Sequence, residues 1–311
     1  MRASGWTGRS NLSLATDITT RLKRGDTLVL DGATKTELRR RGVTDTLKGQ
    51  ELQRKGASFK PTTANIDAPE RVQELHEDYV RAGADIITTN TFNSSPSKIR
   101  LRGMAHLADR FEEINRVAVE IAMRARAASN PKSYVAGSIP PPLREIDEAR
   151  KAIDVADQAR VLAASGVDLI MLEYNGSVRE CVTALTAVAA LKLDLPVFLG
   201  IRKATADGSL STGESFQELA SAIKGLPVDA VLVMCSLPDN TSAALQLLRN
   251  AYSGPIGAYP NAEHDDNYTP PVHSRYAREW LSMGAQIVGG CCGTTPEHIA
   301  ALRPVLKPVA I

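Results

Sequence analysis

No stretch of this chain approaches the roughly 20 consecutive apolar residues that a membrane-crossing helix needs. Its first 20 residues lack the continuous apolar core of a secretory signal. Membrane insertion and secretion are therefore not expected, and the chain reads as cytoplasmic. An excess of one charge is missing too: 37 basic residues stand against 35 acidic ones, a formal net charge of +2. Such a balance leaves no electrostatic footprint for nucleic acid or a membrane surface. Cysteine is scarce, four in 311 residues, and two of the four are adjacent, a poor arrangement for a structural disulfide pair. Reduced thiols are implied. No second domain, internal repeat or low-complexity segment is visible. Residues 1–22 read as a poorly ordered N-terminal extension and 23–311 as one domain.

What is present is a hydrophobic fraction of 43%, enough for a full core, and a regular alternation of element types. Short apolar, β-branched runs occur at Thr27–Leu30, Asp85–Thr89, Tyr134–Gly137, Asp168–Leu172, Pro196–Ile201, Ala230–Met234, Pro255–Tyr259 and Gln286–Val288. Several are apolar on both faces, as buried parallel strands must be. Helical patterns follow them, at Glu70–Ala82, Glu112–Ala127 and Arg150–Ser165 among others, and the last helix opens at Thr295-Pro296-Glu297 with an N-cap and a first-turn proline. Eight βα units in a chain of this length predict an α/β fold, a single (β/α)8 barrel of the TIM type, over an open doubly wound sheet. The polar connection 42–68 is long for a plain loop and predicts a lid or binding loop.

Chemistry in such barrels gathers where the strands end. Those ends are Asp31-Gly32, Thr89-Asn90, Gly137-Ser138, Glu173-Tyr174, Cys235, Tyr259-Pro260-Asn261 and Gly290-Cys291-Cys292-Gly293. Strands six and eight are close neighbours in a barrel, so Cys235 can approach Cys291 and Cys292. Three thiolates make a soft site suited to zinc, with a fourth tetrahedral position open as in catalytic centres. The alternative, small buried hydrophobes, fits Cys181, which sits in a helix among apolar residues. It fits the other three less well, because glycines flank the pair and let backbone approach a ligand. Asp31 and Glu173 end apolar strands, where a capping or rim ion-pair role explains a carboxylate poorly. Asn90 and Asn261 also suit a loop-fixing role.

Gly289-Gly290-Cys291-Cys292-Gly293-Thr294-Thr295-Pro296 resembles the signature of the homocysteine S-methyltransferase family. Asp31-Gly32 with Thr36-Glu37-Leu38, Ala82-Gly83-Ala84-Asp85 running into Thr89-Asn90-Thr91-Phe92, Ala136-Gly137-Ser138, Gly166-Val167-Asp168 with Glu173, and Tyr259-Pro260-Asn261 match as well, so the likeness spans about residues 26–305. The resemblance implies zinc held by Cys235, Cys291 and Cys292, with homocysteine sulfur as its next ligand. It implies that Glu173 and Asp31 hold the substrate ammonium while Thr89, Asn90, Asn261 and the backbone at Gly32 orient it. Tyr174 resembles a tyrosine that closes the zinc site in the betaine-using branch. The implied partners are homocysteine and a small methyl donor, and assembly as a homo-oligomer is left open.

Three positions depart from the family pattern. Lys35 stands where a glycine is usual, Met234 precedes Cys235 where asparagine is common, and the stretch Pro61–Ala68 lacks a tryptophan, the only two being Trp6 and Trp280. A quaternary ammonium donor wants an aromatic cage. Aromatics are 5% of this chain, and Phe59, Phe92, Tyr174 and Tyr259 supply at most part of one. S-methylmethionine or S-adenosylmethionine is the favoured donor, a betaine-type donor the second. A catalytically weak zinc- or thiol-binding barrel with a regulatory role, or a metal-free lyase using Lys35, are readings of other classes.

Overall fold

The computed structural model describes residues 18–43, 61–202, 204–263 and 265–306. Eight parallel strands form one sheet in the order β1-β8-β7-β6-β5-β4-β3-β2. They are β1 (Leu28–Val29), β2 (Ile86–Thr88), β3 (Tyr134–Ile139), β4 (Leu169–Asn175), β5 (Val197–Arg202), β6 (Ala230–Met234), β7 (Ile256–Tyr259) and β8 (Ala285–Val288). A parallel bridge from Leu30 to Ile86, with Asp31 N–H donating to the Ile86 carbonyl at 2.9 Å, joins β1 to β2. The sheet is thereby the expected (β/α)8 barrel, and each expected strand coincides with an observed one.

Besides short helices such as Thr34–Arg40, the helices around it include α1 (Pro69–Arg81), α2 (Phe111–Ser129), α3 (Glu148–Ala164), α4 (Val178–Ala190), α5 (Phe216–Ala222), α6 (Pro238–Ala251), α7 (Pro270–Ser282) and α8 (Pro296–Ala300). Among the described residues no helix is long and apolar enough to cross a membrane.

The two-residue period of the strands sorts the core into two layers. In β6, Ala230, Leu232 and Met234 point into the barrel, whereas Val231 and Val233 pack beneath the helices. Leu169 and Met171 of β4 point inward in the same way, and Ile170 and Leu172 outward. Residues 18–23 are helical, and Ile18 and Leu22 are buried in the inner layer. That part of the segment before residue 23 is thus packed into the barrel, while Trp6 and the rest of residues 1–17 lie outside the described residues.

One short motif builds the lower rim, where the strands begin. Helix α1 stops at Gly83, whose φ of +105° is a left-handed value that glycine adopts without strain. Two residues later Asp85 opens β2, accepting the Val29 N–H at 2.8 Å on its carboxylate while its own N–H donates to the Val29 carbonyl at 2.7 Å. Asp168 does the same for Val135 (2.7 and 2.9 Å), and Asp229 for Val197 (2.9 and 2.8 Å). Each carboxylate extends the ladder by one bond and fixes the register of an odd-numbered strand against the next even-numbered one.

Candidate active site and metal centre

At the upper rim, where the strands end, the backbone is tied crosswise. Cys235 N–H donates to the Tyr259 carbonyl (2.9 Å), Cys291 N–H to the Pro260 carbonyl (2.9 Å), and Gly290 N–H to the Asp31 carbonyl (3.0 Å). The chain after β8 is thus bonded to the ends of both β7 and β1. Glycine is required at Gly293: its φ is +82°, and a Cβ there would meet the backbone of Ala262 and Glu263 at 2.5 Å. Two non-glycine residues of the rim also hold left-handed φ values, Tyr174 (65°) and Cys235 (47°). Such conformations cost on the order of 1–3 kcal/mol each and persist where the surroundings impose them.

These constraints bring the three thiols together. The Sγ atoms of Cys235, Cys291 and Cys292 all lie within 4.8 Å of one another, with Cys292 at 3.9 Å from each of the other two. None is in a disulfide. The thiols of Cys235 and Cys291 donate toward Cys292 and favour its thiolate, helped by the nearby Lys35 charge. Cys291 is pushed up by those same contacts and by burial. A soft divalent cation replaces the protons such a cluster must otherwise share, so the donor set fits zinc and three ligands leave one position open. Cys181 is separate, fully buried in α4.

The thiols line a cavity of about 340 Å³ together with Asp31, Gly32, Thr89, Asn90, Glu173 and Tyr174. Lys35 and Met234 line it too. Asp31 accepts from the Thr88 N–H at 2.7 Å and from the Thr88 hydroxyl at 3.2 Å. Glu173 is met by the hydroxyls of Ser138 and, at 3.3 Å, Tyr259. Burial pushes the Asp31 carboxyl well above the usual carboxylate range, and the charge of Glu173 adds to the shift. Burial raises Glu173 likewise, against the pull of Ser138 and Tyr259. Among the described residues neither carboxylate has an ion-pair partner. Two buried carboxyl groups that face a cavity without an ion-pair partner are chemically suited to a cationic ligand.

Other expected residues have different surroundings. Asn261 does not line the cavity: its carboxamide accepts the Glu263 N–H at 2.7 Å and holds the loop after β7. Asn90 lines it, but both of its amide bonds run to Pro61 O (2.7 Å) and Asn65 Oδ1 (2.9 Å). The Thr89 hydroxyl pairs with Thr91 Oγ1 at 2.7 Å and accepts the Ser138 N–H at 3.1 Å, so it positions the serine that meets Glu173. Phe59 and most of the expected lid, residues 44–60, lie outside the described residues, whereas Pro61 forms part of the cavity wall.

Sequence reasoning missed the hydrogen-bonding roles of Thr88, Ser138 and Tyr259, and also Lys98. The Lys98 ammonium lies 4.2 Å from the Phe92 ring centroid and draws down the Glu173 carboxyl. Phe92 meets Tyr174 edge to face at 5.9 Å, and Arg202 lies 5.1 Å over the Tyr174 ring. The Met234 Sδ accepts from the Tyr174 N–H at 2.9 Å and from the Tyr259 hydroxyl at 3.0 Å. The one signal for this cluster was position: Ser138 and Tyr259 both end strands.

Clustered thiols and carboxylates at the upper rim of a parallel barrel define an α/β-barrel enzyme with a thiol-rich active site. The comparisons make the class specific. Residues 28–306 match the family model of homocysteine S-methyltransferases. A homocysteine S-methyltransferase of Escherichia coli K12 is 31% identical over 315 aligned residues, covering 91% of this chain and 96% of that protein. The crystal structure of the E. coli homocysteine methyltransferase in its metallated form superposes with a TM-score of 0.75 at 27% identity, covering 92% of this chain and 98% of that one. Its apo form gives a TM-score of 0.70 at 26% identity over 90% and 96% of the two chains. The carboxyl transferase domain of Rhizobium etli pyruvate carboxylase, 11% identical with a TM-score of 0.55 over 97% of this chain and 51% of that one, shares the fold alone. The chain belongs to the homocysteine S-methyltransferase family, and it is a methyltransferase.

Proposed function

We propose that this enzyme moves a methyl group from a small onium donor, S-methylmethionine or S-adenosylmethionine, to the sulfur of homocysteine, giving methionine. The observation that carries the reading is the trio of thiols within 4.8 Å of one another beside two buried carboxylates. Cys235, Cys291 and Cys292 would hold zinc, whose chemistry there is to deprotonate an incoming thiol near neutral pH and leave its sulfur nucleophilic. Asp31 and Glu173 bind the ammonium of homocysteine, and the arriving charge favours their ionised forms. Thr88, Ser138 and Tyr259 fix the carboxylate oxygens, so orientation is set before the substrate enters. The sulfur takes the methyl carbon, and the donor leaves with the electron pair as a neutral sulfide. Free thiols at the site suit a reducing compartment, and we place the enzyme in the cytoplasm.

A betaine-type donor is the second reading. One face of Phe92 is already covered by Lys98 and one face of Tyr174 by Arg202, which leaves less aromatic surface for a quaternary ammonium and favours a sulfonium. Incubating the purified protein with homocysteine and each of S-methylmethionine, S-adenosylmethionine and betaine, with methionine as the readout, tests both. Methionine from a sulfonium donor is expected. Product from betaine alone would reverse the order, and no product from any donor would overturn the proposal.

A further inference from the structure

Residues Thr34–Arg40 form a short helix directly after Asp31-Gly32, and four cations lie on it or just past its end. Three are matched by protein carboxylates. Arg39 pairs with Glu263 at 2.8 Å, Arg40 with Glu37 at 2.8 Å, and Arg41 with Glu37 at 2.8 Å and Asp78 at 2.7 Å. Lys35 is the exception. It makes no hydrogen bond or ion pair among the described residues, and it is the one cation among the described residues lining the cavity. It is exposed at the mouth, whereas Asp31 and Glu173 are buried behind it. It shares that lining with Cys235, Cys291 and Cys292, and its charge helps to lower the Cys292 thiol.

The cavity is therefore polarised, with carboxylates at the back and an unmatched ammonium at the front. An α-amino acid carries the complementary pair of charges. We propose that Lys35 is a specificity-determining residue that binds the α-carboxylate of an amino-acid substrate in this cavity. The inference rests on the methyltransferase reading for the identity of that substrate. The same carboxylate chemistry comes with homocysteine as acceptor and with S-methylmethionine or S-adenosylmethionine as donor. Lys35 selects for whichever one reaches it, and against analogues that lack the group.

The test removes the carboxylate and the ammonium in turn. Lys35→Met keeps much of the aliphatic stem and deletes the charge; Lys35→Arg restores it. Homocysteine is compared with 3-aminopropane-1-thiol, its decarboxylated form, and S-methylmethionine with (3-aminopropyl)dimethylsulfonium. Equilibrium binding is read by calorimetry and KM by turnover. For an exposed cation the expected effect is about three- to tenfold weaker binding of the carboxylate-bearing member of one pair in Lys35→Met. Its decarboxylated partner should bind wild type and variant alike. The difference should shrink as salt is raised, and Lys35→Arg should recover most of it. The pair that responds names the molecule bound. Equal losses within both pairs, or none in either, would overturn the assignment. A wild-type protein that binds homocysteine and forms no methionine would overturn the proposed function instead, and the calorimetric comparison would still decide Lys35.

Discussion

At the lower rim of the barrel Asp85, Asp168 and Asp229 each accept the N–H of a neighbouring strand, and two of them also face arginines, Arg126 at 2.7 Å from Asp168 and Arg303 at 3.1 Å from Asp85. At the upper rim Asp31 and Glu173 accept hydrogen bonds from Thr88, Ser138 and Tyr259, yet among the described residues no cation lies within ion-pair distance of them. The side chains are chemically alike; Asp31, Glu173 and Asp168 are buried, and Asp85 and Asp229 are partly buried. Asp85 and Asp168 differ from the upper pair in being matched by arginines. A carboxylate matched by the fold belongs to the fold's stability. One that the fold buries and leaves unmatched is held for a ligand, at some expense in stability.

The sharpest way to break this contrast is Asp168→Asn. It leaves the Arg126 guanidinium buried without its counter-charge and should destabilise the protein by about 3–5 kcal/mol in urea unfolding. Homocysteine affinity of the folded variant should be unchanged. An unaltered unfolding midpoint would mean that the lower carboxylates are not structural.

Glu173→Gln should show the opposite pattern, with smaller numbers. Homocysteine binding should weaken by about 1.5–3 kcal/mol as a charge-assisted contact is lost, while metal content stays the same. Stability of the metal-free protein should rise. Burial raises the Glu173 carboxyl in the folded state, so ionising it as pH climbs past its unfolded value, about 4.3, works against folding. The melting temperature of the variant should exceed that of wild type at neutral pH, with the gap closing toward pH 4. Unchanged homocysteine affinity would remove Glu173 from the substrate site.

All eight strands were legible because parallel barrel strands are apolar on both faces and stand out as short β-branched runs. The thiol cluster was legible because the ends of strands six and eight, one strand apart, converge at the upper rim, which brings Cys235 near Cys291 and Cys292. Hydrogen-bond partners were not. Whether Asn90 reaches a ligand or Asn65, and whether Asn261 faces the cavity or braces Glu263, depends on where one loop meets another, and local pattern carries no record of that. Of the lower-rim aspartates, Asp85 and Asp168 were read only as strand starts and members of family motifs, and Asp229 was not singled out, because a residue capping the neighbouring strand has the same local signature as one that merely ends a turn. Strand β4 ran past its expected end, through a register shift between Leu172 and Asn175, since polar residues and a left-handed Tyr174 are invisible to apolar periodicity.

The central claim is that the three upper-rim thiols form a zinc site. Its most direct test is the metal content of freshly purified protein beside that of Cys291→Ala, measured by elemental analysis. Wild type should hold about one zinc per chain, and the variant, which keeps only two of the three thiols, should hold almost none and form no methionine. Full zinc occupancy in Cys291→Ala, or a wild-type protein that takes up no zinc when supplied with it, would contradict the account.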